Sequence, residues 1–462
     1  MKLSFYGATG MVTGSNYLLE VNNKKILIDC GLFQGPRRIE EKNYEPFPYQ
    51  AKDIDFVLIT HAHLDHTGRL PKLFNDGFKG KVFATAPTVD FMGFMLEDSQ
   101  KILHRKAIRK GINLDWGRHQ IQDLMNKFEP VGYREEVNLS DQIKFRFREA
   151  GHVLGSANIE LEANGIKIVF SGDIGYPQAP IINDPAEIEN VDYLIVESTY
   201  GDRIHESRGN IRELLKETII KTINRGGVLL IPSFALERTQ RLLYHFNDLV
   251  ENKKIPSVPI FVDSPLAIRL TEIYRKYPEY YDQEAYKLFS SGDDIFDFPK
   301  LELTLTTQKS KRINEVPSPK IIIAGSGMSQ GGRIIHHEIR YLPDPNNTLL
   351  FVTYQVEGTL GRRIFDGVKN VKILKRHVQV NAEITRVDGY SSHADQKSLL
   401  KWIDGISKRS PGIKKIFVCH GEEKPSQILS DKINQDLGLK AIVPVLGQTI
   451  TLTKNNKNSR LN

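Results

Sequence analysis

The stretch Thr60-His61-Ala62-His63-Leu64-Asp65-His66-Thr67 sets three imidazoles and a carboxylate close together directly behind an apolar run. Nitrogen and oxygen donors without a thiolate suit Zn²⁺ first, with Mn²⁺ or Fe as substitutes. The preceding Asp55-Phe56-Val57-Leu58-Ile59 reads as a buried strand. His61 and His63, two apart in extended chain, therefore leave its end on one side and converge on one point. Asp65 and His66 follow where the chain turns and can serve a second point close to the first. The pattern differs from the helical H-E-x-x-H motif, whose histidines sit four apart on one helix face. A solvated His-rich loop, the plainer alternative, sits poorly behind so apolar a strand.

Other polar residues end apolar runs in the same way. Asp29 closes Lys25-Ile26-Leu27-Ile28, where it can orient a metal-bound imidazole or cap a turn. His152 stands between Gly151 and Gly155, where the backbone can turn sharply. Asp173 follows the strand-like Gly165 to Phe170, and Glu197 ends the run Tyr193-Leu194-Ile195-Val196. His420 follows Lys415 to Cys419. His393 lies between Ser392 and Asp395, which are spaced as in a capping box and place it in the first turn of a helix. Singly, each is more often a satisfied structural residue than a ligand. Six of the 13 histidines nevertheless fall in such motifs, as expected where one edge of a layered α/β structure carries a site.

The elements that must position these residues fit a soluble chain of 462 residues, with 40% hydrophobic and 26% charged side chains, divided into two domains. Its 63 basic and 56 acidic residues leave +7, compatible with a polyanionic partner but common without one. No apolar segment resembles a signal peptide or approaches a membrane span, so a cytoplasmic protein without a membrane partner is expected. Cys30 and Cys419 read as small buried hydrophobes. The segment Thr88 to Phe128 has helical spacing, and its Arg105, Lys106, Arg109 and Lys110 read as a solvated face.

From about Arg203, strands and longer helices alternate as βα units, which predicts an inserted parallel-sheet domain. Within it Ser233 is the expected N-cap of a helix, and Ser264-Pro265 opens another. The loop Gly325 to Arg333, between the strand Lys320 to Ala324 and a helix, can offer N–H groups to phosphate or serve only as a tight turn. It departs from the G-x-G-x-x-G fingerprint. The polar tail from Lys454 to Arg460 is expected to fray.

Together these residues resemble the metallo-β-lactamase superfamily and, within it, the β-CASP nucleases of bacterial type, related to the nuclease subunit of the cleavage and polyadenylation specificity factor. Asp29, His61-x-His63-x-Asp65-His66, His152 and Asp173 resemble the four superfamily motifs, and Glu197, His393 and His420 the three further β-CASP motifs. The resemblance implies an α/β fold: an αββα metallo-β-lactamase sandwich, residues 1–205 and 386–462, with a mainly parallel β-CASP domain inserted at 206–385. It implies two Zn²⁺ per chain, one held by His61, His63, His152 and Asp173, the other by Asp65, His66, His420 and a bridging Asp173. His420 in the last motif implies an RNA substrate, since DNA-repair members typically carry valine there.

The implied function is hydrolysis of phosphodiester bonds in single-stranded RNA by a two-metal hydroxide mechanism, in endonucleolytic mode. Asp65 would orient the nucleophile, and His393, held by Glu197, would protonate the departing ribose oxygen. Arg238, Ser326, Gly327, Arg333 and Arg362 lie in segments resembling cleft-lining β-CASP motifs and are the candidate substrate contacts. A homodimer is compatible with the sequence. The rival readings are a DNA nuclease of the same family, a non-nucleolytic metallo-hydrolase, and an inactive RNA-binding scaffold.

Overall fold

A computed structural model describes residues 1–112, 114, 117–205, 211–387 and 389–454. Most of the tail expected to fray lies outside these residues. The chain divides into two units, Met1–Ile204 with His393–Asn462, and His205–Ser392.

The first unit is built on two seven-stranded sheets. One runs Thr449–Thr451, Lys2–Phe5, Tyr17–Val21, Lys24–Ile28, Phe56–Leu58, Lys81–Ala84 and Phe128–Pro130. The first four strands pair antiparallel and the last four parallel, with Ile28 opposite Leu58. The other runs Ala441–Ile442, Lys415–Cys419, Tyr193–Glu197, Ile166–Phe170, Ala157–Ala163, Ile143–Glu149 and Val137–Ser140. Its first four strands are parallel and the rest antiparallel.

Strand alternation decides which side chains meet between the sheets. Tyr17, Leu19 and Val21 face one way and join Phe5, Ile28 and Leu58 in a core with Phe147, Ile159, Leu161, Phe170 and Phe417 of the second sheet. The opposite face of the second sheet, with Val169, Leu194, Val196, Ile416 and Val418, packs on the helices Gln396–Arg409 and Glu423–Asp436. This is the αββα sandwich.

The second unit holds a six-stranded parallel sheet, in the order Leu301–Leu303, Ile260–Asp263, Lys320–Ala324, Val228–Pro232, Thr348–Phe351, Glu383–Arg386. Its central strands, Lys-Ile-Ile-Ile-Ala and Val-Leu-Leu-Ile-Pro, are buried throughout, as strands covered on both faces must be. This unit continues past residue 385 because Glu383–Arg386 is one of its strands and Arg241 Nη1 holds the carbonyl of Tyr390 at 3.1 Å.

Three local expectations are corrected. The segment 88–128 is two helices, Ala86–Arg109 and Arg118–Met125, separated after Gly111 at φ 67°, and ends in the strand Phe128–Pro130. Residues 113, 115 and 116 of that segment lie outside the described residues. Ser233 does not cap a helix: its hydroxyl bonds Thr239 Oγ1 at 3.0 Å, and the helix Arg238–Glu251 starts after Glu237. His393 precedes its helix, since Asp395, not Ser392, caps Gln396–Arg409 by accepting from Ser398 N at 2.8 Å.

Candidate metal centre

Five strand ends and one helical turn build the site in the first unit. In both sheets the parallel strands point the same way within their sheet, so their C-terminal ends deliver polar residues to one edge. Asp29 follows Lys24–Ile28 and His61 follows Phe56–Leu58. Asp173, Glu197 and His420 come from three adjacent parallel strands of the second sheet. Leu64–Thr67 is a single helical turn carrying Asp65 and His66. That turn sits close beneath Gly31, where a Cβ would lie 1.6 Å from the Asp65 carbonyl oxygen, so only glycine fits.

Asp29 and His420 both adopt positive φ, 58° and 46°. Non-glycine residues there carry a cost on the order of 1–3 kcal/mol. Asp29 offsets it with its carboxylate, which accepts from Thr60 N at 2.8 Å, Thr60 Oγ1 at 2.9 Å and His66 Nδ1 at 2.7 Å. His66 Nε2 is thereby turned toward Asp173 Oδ1 at 3.2 Å and His420 Nε2 at 3.1 Å. Thr60 Oγ1 also lies 3.1 Å from His61 Nδ1, which turns His61 Nε2 inward.

Two ligand sets converge. His61, His63, His152 and Asp173 offer atoms all within 4.8 Å of one another, as do Asp65, His66 and His420. His63 Nδ1 lies 3.1 Å from both His61 Nε2 and His152 Nε2. Asp173 is shared, with Oδ2 3.4 Å from His61 and 3.5 Å from His152, and Oδ1 3.4 Å from His420 Nδ1.

Burial pushes His61 down to about 3 and holds His63 and His152 below the usual histidine range, with nearby imidazoles adding to the effect on His61 and His152. Neutral imidazole is the form that ligates a cation. For Asp173, burial acts upward, but His420, His66 and His61 hold the carboxyl well below the carboxylate range. For Asp65 the hydrogen bond and charge of His420, with His66, likewise outweigh burial and hold it low. Burial lowers His66, yet Asp173 and Asp29 hold it well above the ordinary value.

Asp173 Oδ1 is buried and accepts no hydrogen bond among the described residues. Converging imine nitrogens around a carboxylate oxygen in that state fit a divalent cation. These residues therefore fit a metal cofactor.

Beside the ligands, His393 Nδ1 lies 3.2 Å from Glu197 Oε1 and Oε2 and 3.9 Å from Asp173 Oδ2. Glu197 is buried, and its Oε1 also accepts from Ile174 N at 2.6 Å. Burial acts to lower His393, but Glu197 raises it to about 9. Gly175 joins this segment to the His152 loop: it bridges His393, and a Cβ on it would lie 1.6 Å from the Gly151 carbonyl oxygen.

The structure thus gathers His61, His63, Asp65, His66, His152, Asp173, Glu197, His393 and His420 in one unit. Arg238, Ser326, Gly327, Arg333 and Arg362 belong to the other. There Arg333 Nη1 is engaged by Asp263 Oδ1 at 2.7 Å and the Thr304 carbonyl at 2.6 Å, and Arg362 Nε by Asp366 at 2.8 Å. Arg238 begins its helix over the Tyr390 ring. Gly327 O accepts from Thr353 Oγ1 and Gln355 Nε2.

Sequence reasoning assigned no role to Thr60, which ties Asp29 to His61. Its position directly before the first histidine was the available signal.

The Metallo-beta-lactamase superfamily matches residues 9–233, the Beta-Casp domain 239–364, and the Zn-dependent metallo-hydrolase RNA specificity domain 377–444. The chain is 37% identical over 455 residues to the protein named Ribonuclease TTHA0252 of Thermus thermophilus, covering 98% of each. It is 32% identical to an RNase J-like protein of Methanocaldococcus jannaschii, covering 97% of this chain and 99% of that one. With the transcription termination factor FttA of the same archaeon it shares 31% identity, over 96% of this chain and 70% of that protein. A crystal structure of a protein of unknown function from Enterococcus faecalis shares the fold, at TM-score 0.57 and 12% identity over 98% of this chain and 99% of that one. The ligand geometry and these matches agree: the chain belongs to the β-CASP ribonuclease family of the metallo-β-lactamase superfamily and is a metal-dependent hydrolase.

Proposed function

We propose that this protein is a cytoplasmic ribonuclease that hydrolyses phosphodiester bonds of single-stranded RNA endonucleolytically, with two zinc ions. The observation that carries the reading is the Glu197–His393 pair beside the ligand cluster, with His393 Nδ1 3.2 Å from Glu197 and 3.9 Å from Asp173. A ribose alkoxide is a poor leaving group and gains from a positioned acid, whereas a thiolate leaves without one. The names of the relatives, ribonuclease among them, support RNA as substrate.

In this reading His61, His63, His152 and Asp173 hold one ion, and Asp65, His66, His420 and the shared Asp173 the other. Such a pair, when bound, supplies Lewis acidity toward the scissile phosphate and makes water acidic enough to react near neutral pH. Asp65 orients the attacking water by accepting its hydrogen bond. Glu197 fixes the His393 ring through Nδ1, so the proton passed to the departing ribose 3′-oxygen is carried on Nε2. The products are a 5′-phosphate and a 3′-hydroxyl. Arg238, Ser326, Gly327, Arg333 and Arg362 contact the RNA, with Arg333 oriented by Asp263.

The test compares zinc-loaded wild type with Asp65→Ala on 5′-labelled RNA, internally labelled RNA and matched DNA. Internal cuts in RNA alone, lost in the variant, are expected. Cleavage of DNA at an equal rate, or no cleavage of RNA by fully metallated protein, overturns the reading.

A further inference from the structure

The C-terminal edge of the parallel sheet in the second unit carries two exposed rings that nothing above uses. Phe234, just past the strand Val228–Pro232, is 40% exposed, and Tyr354, just past Thr348–Phe351, is 56% exposed. Single exposed aromatics are ordinary, but these two flank the same loop. A Cβ built on Gly327 would lie 3.2 Å from the Phe234 ring, so the ring rests against that glycine. The Gly327 carbonyl accepts from Thr353 Oγ1 at 2.9 Å, which fixes the residue next to Tyr354 on the same glycine. Gln355 Nε2 donates to the same carbonyl at 3.0 Å, and Gly361 N donates to the Met328 carbonyl at 3.2 Å. These bonds pin the start of the helix Leu360–Phe365, with its Arg362 and Arg363, to the loop. The Tyr354 phenol lies within the electrostatic reach of Arg362.

Two accessible π-faces beside cationic side chains, at the edge where parallel α/β sheets take their ligands, match the recognition of unpaired nucleobases next to a phosphate backbone. A paired duplex hides those faces. We propose that Phe234 and Tyr354 form a stacking platform for two bases of the single-stranded substrate. This rests on the ribonuclease reading and adds the source of its preference for unpaired RNA. Stacking that does not change during the reaction lowers KM and leaves kcat alone.

The experiment measures kcat and KM of Phe234→Ala, Tyr354→Ala and the double variant on a single-stranded RNA. The same RNA carrying abasic nucleotides, and a small aryl phosphodiester without bases, serve as comparison substrates. Each single variant is expected to raise KM about tenfold on the intact RNA, with kcat within about twofold, and to leave small-diester hydrolysis unchanged. On the abasic RNA wild type and variants converge, and Tyr354→Phe, which keeps the ring, behaves as wild type. Unaltered KM in the double variant overturns the platform while the ribonuclease reading stands, as does an equal KM increase on intact and abasic RNA. If wild type hydrolyses the small diester but not RNA, the ribonuclease reading itself falls.

Discussion

His66 Nδ1 donates to Asp29 Oδ2 at 2.7 Å, and that bond fixes which ring nitrogen faces Asp173 and His420. Partners of this kind typically matter 10- to 100-fold, roughly, in metal affinity. Asp29→Asn should therefore weaken metal retention by about that factor, measured by titration with a chelator. Retention equal to wild type would show that the Asp29 bond is only structural.

Asp173 stands in the first ligand set and its Oδ1 also lies 3.2 Å from His66 Nε2 and 3.4 Å from His420 Nδ1, whereas His152 stands in the first set. Asp173→Ala should leave the dialysed protein nearly metal-free, while His152→Ala should retain about one ion of an expected pair. Elemental analysis beside a circular dichroism spectrum separates ligand loss from unfolding. Identical metal contents in the two variants would contradict a shared carboxylate.

His393 touches Glu197 and the edge of the ligand cluster but is not needed to assemble either ligand set. His393→Ala should lower kcat by about 10²- to 10⁴-fold with metal content unchanged. Glu197→Gln should act in the same direction, because the ring loses its anionic anchor. Full activity in metal-replete His393→Ala would remove this residue from the chemistry.

Glu338, in the second unit, gives a pH test. It is fully buried, accepts from Ser329 Oγ at 2.5 Å, and its Oε2 has no hydrogen-bond partner among the described residues. Burial raises its carboxyl to about 8, against the opposing Ser329 bond. The folded state therefore holds this proton more tightly than the unfolded chain. The contribution is full below the unfolded value, near 4.5, and is lost as pH rises through about 8. Glu338→Gln should flatten that decline, seen as a Tm gap of about 2–4 °C per kcal/mol opening in its favour from pH 5 to 8. Parallel Tm curves would mean that Glu338 is not held protonated.

Much of the site was legible because polar residues ending apolar strands carry two signals at once. Residue type gives the chemistry, and strand period gives the direction, as for His61 and His63. Asp173, Glu197 and His420 could be recognised as strand ends, but their mutual approach depends on parallel pairing between segments far apart, such as Glu197 opposite Cys419. No local pattern encodes that pairing. The pairing of Thr449–Thr451 with Lys2–Phe5 is hidden for the same reason. The caps failed where two candidates competed: Ser392 and Asp395 both suit an N-cap, and the geometry selects Asp395. The pairing of Arg333 with Asp263, buried on another strand, has no local signal either.

His66 and His420 stand 3.1 Å apart in space and 354 residues apart in the chain. A cation gripping both would act as a cross-link across nearly the whole polypeptide, and closing so long a loop is where a clamp removes most freedom from the unfolded chain. The order of synthesis gives a second result. Until the ribosome has made Lys415–Cys419, the strand that leads into His420 does not exist. A chain that stops short of it lacks His420 and with it one member of the second ligand set.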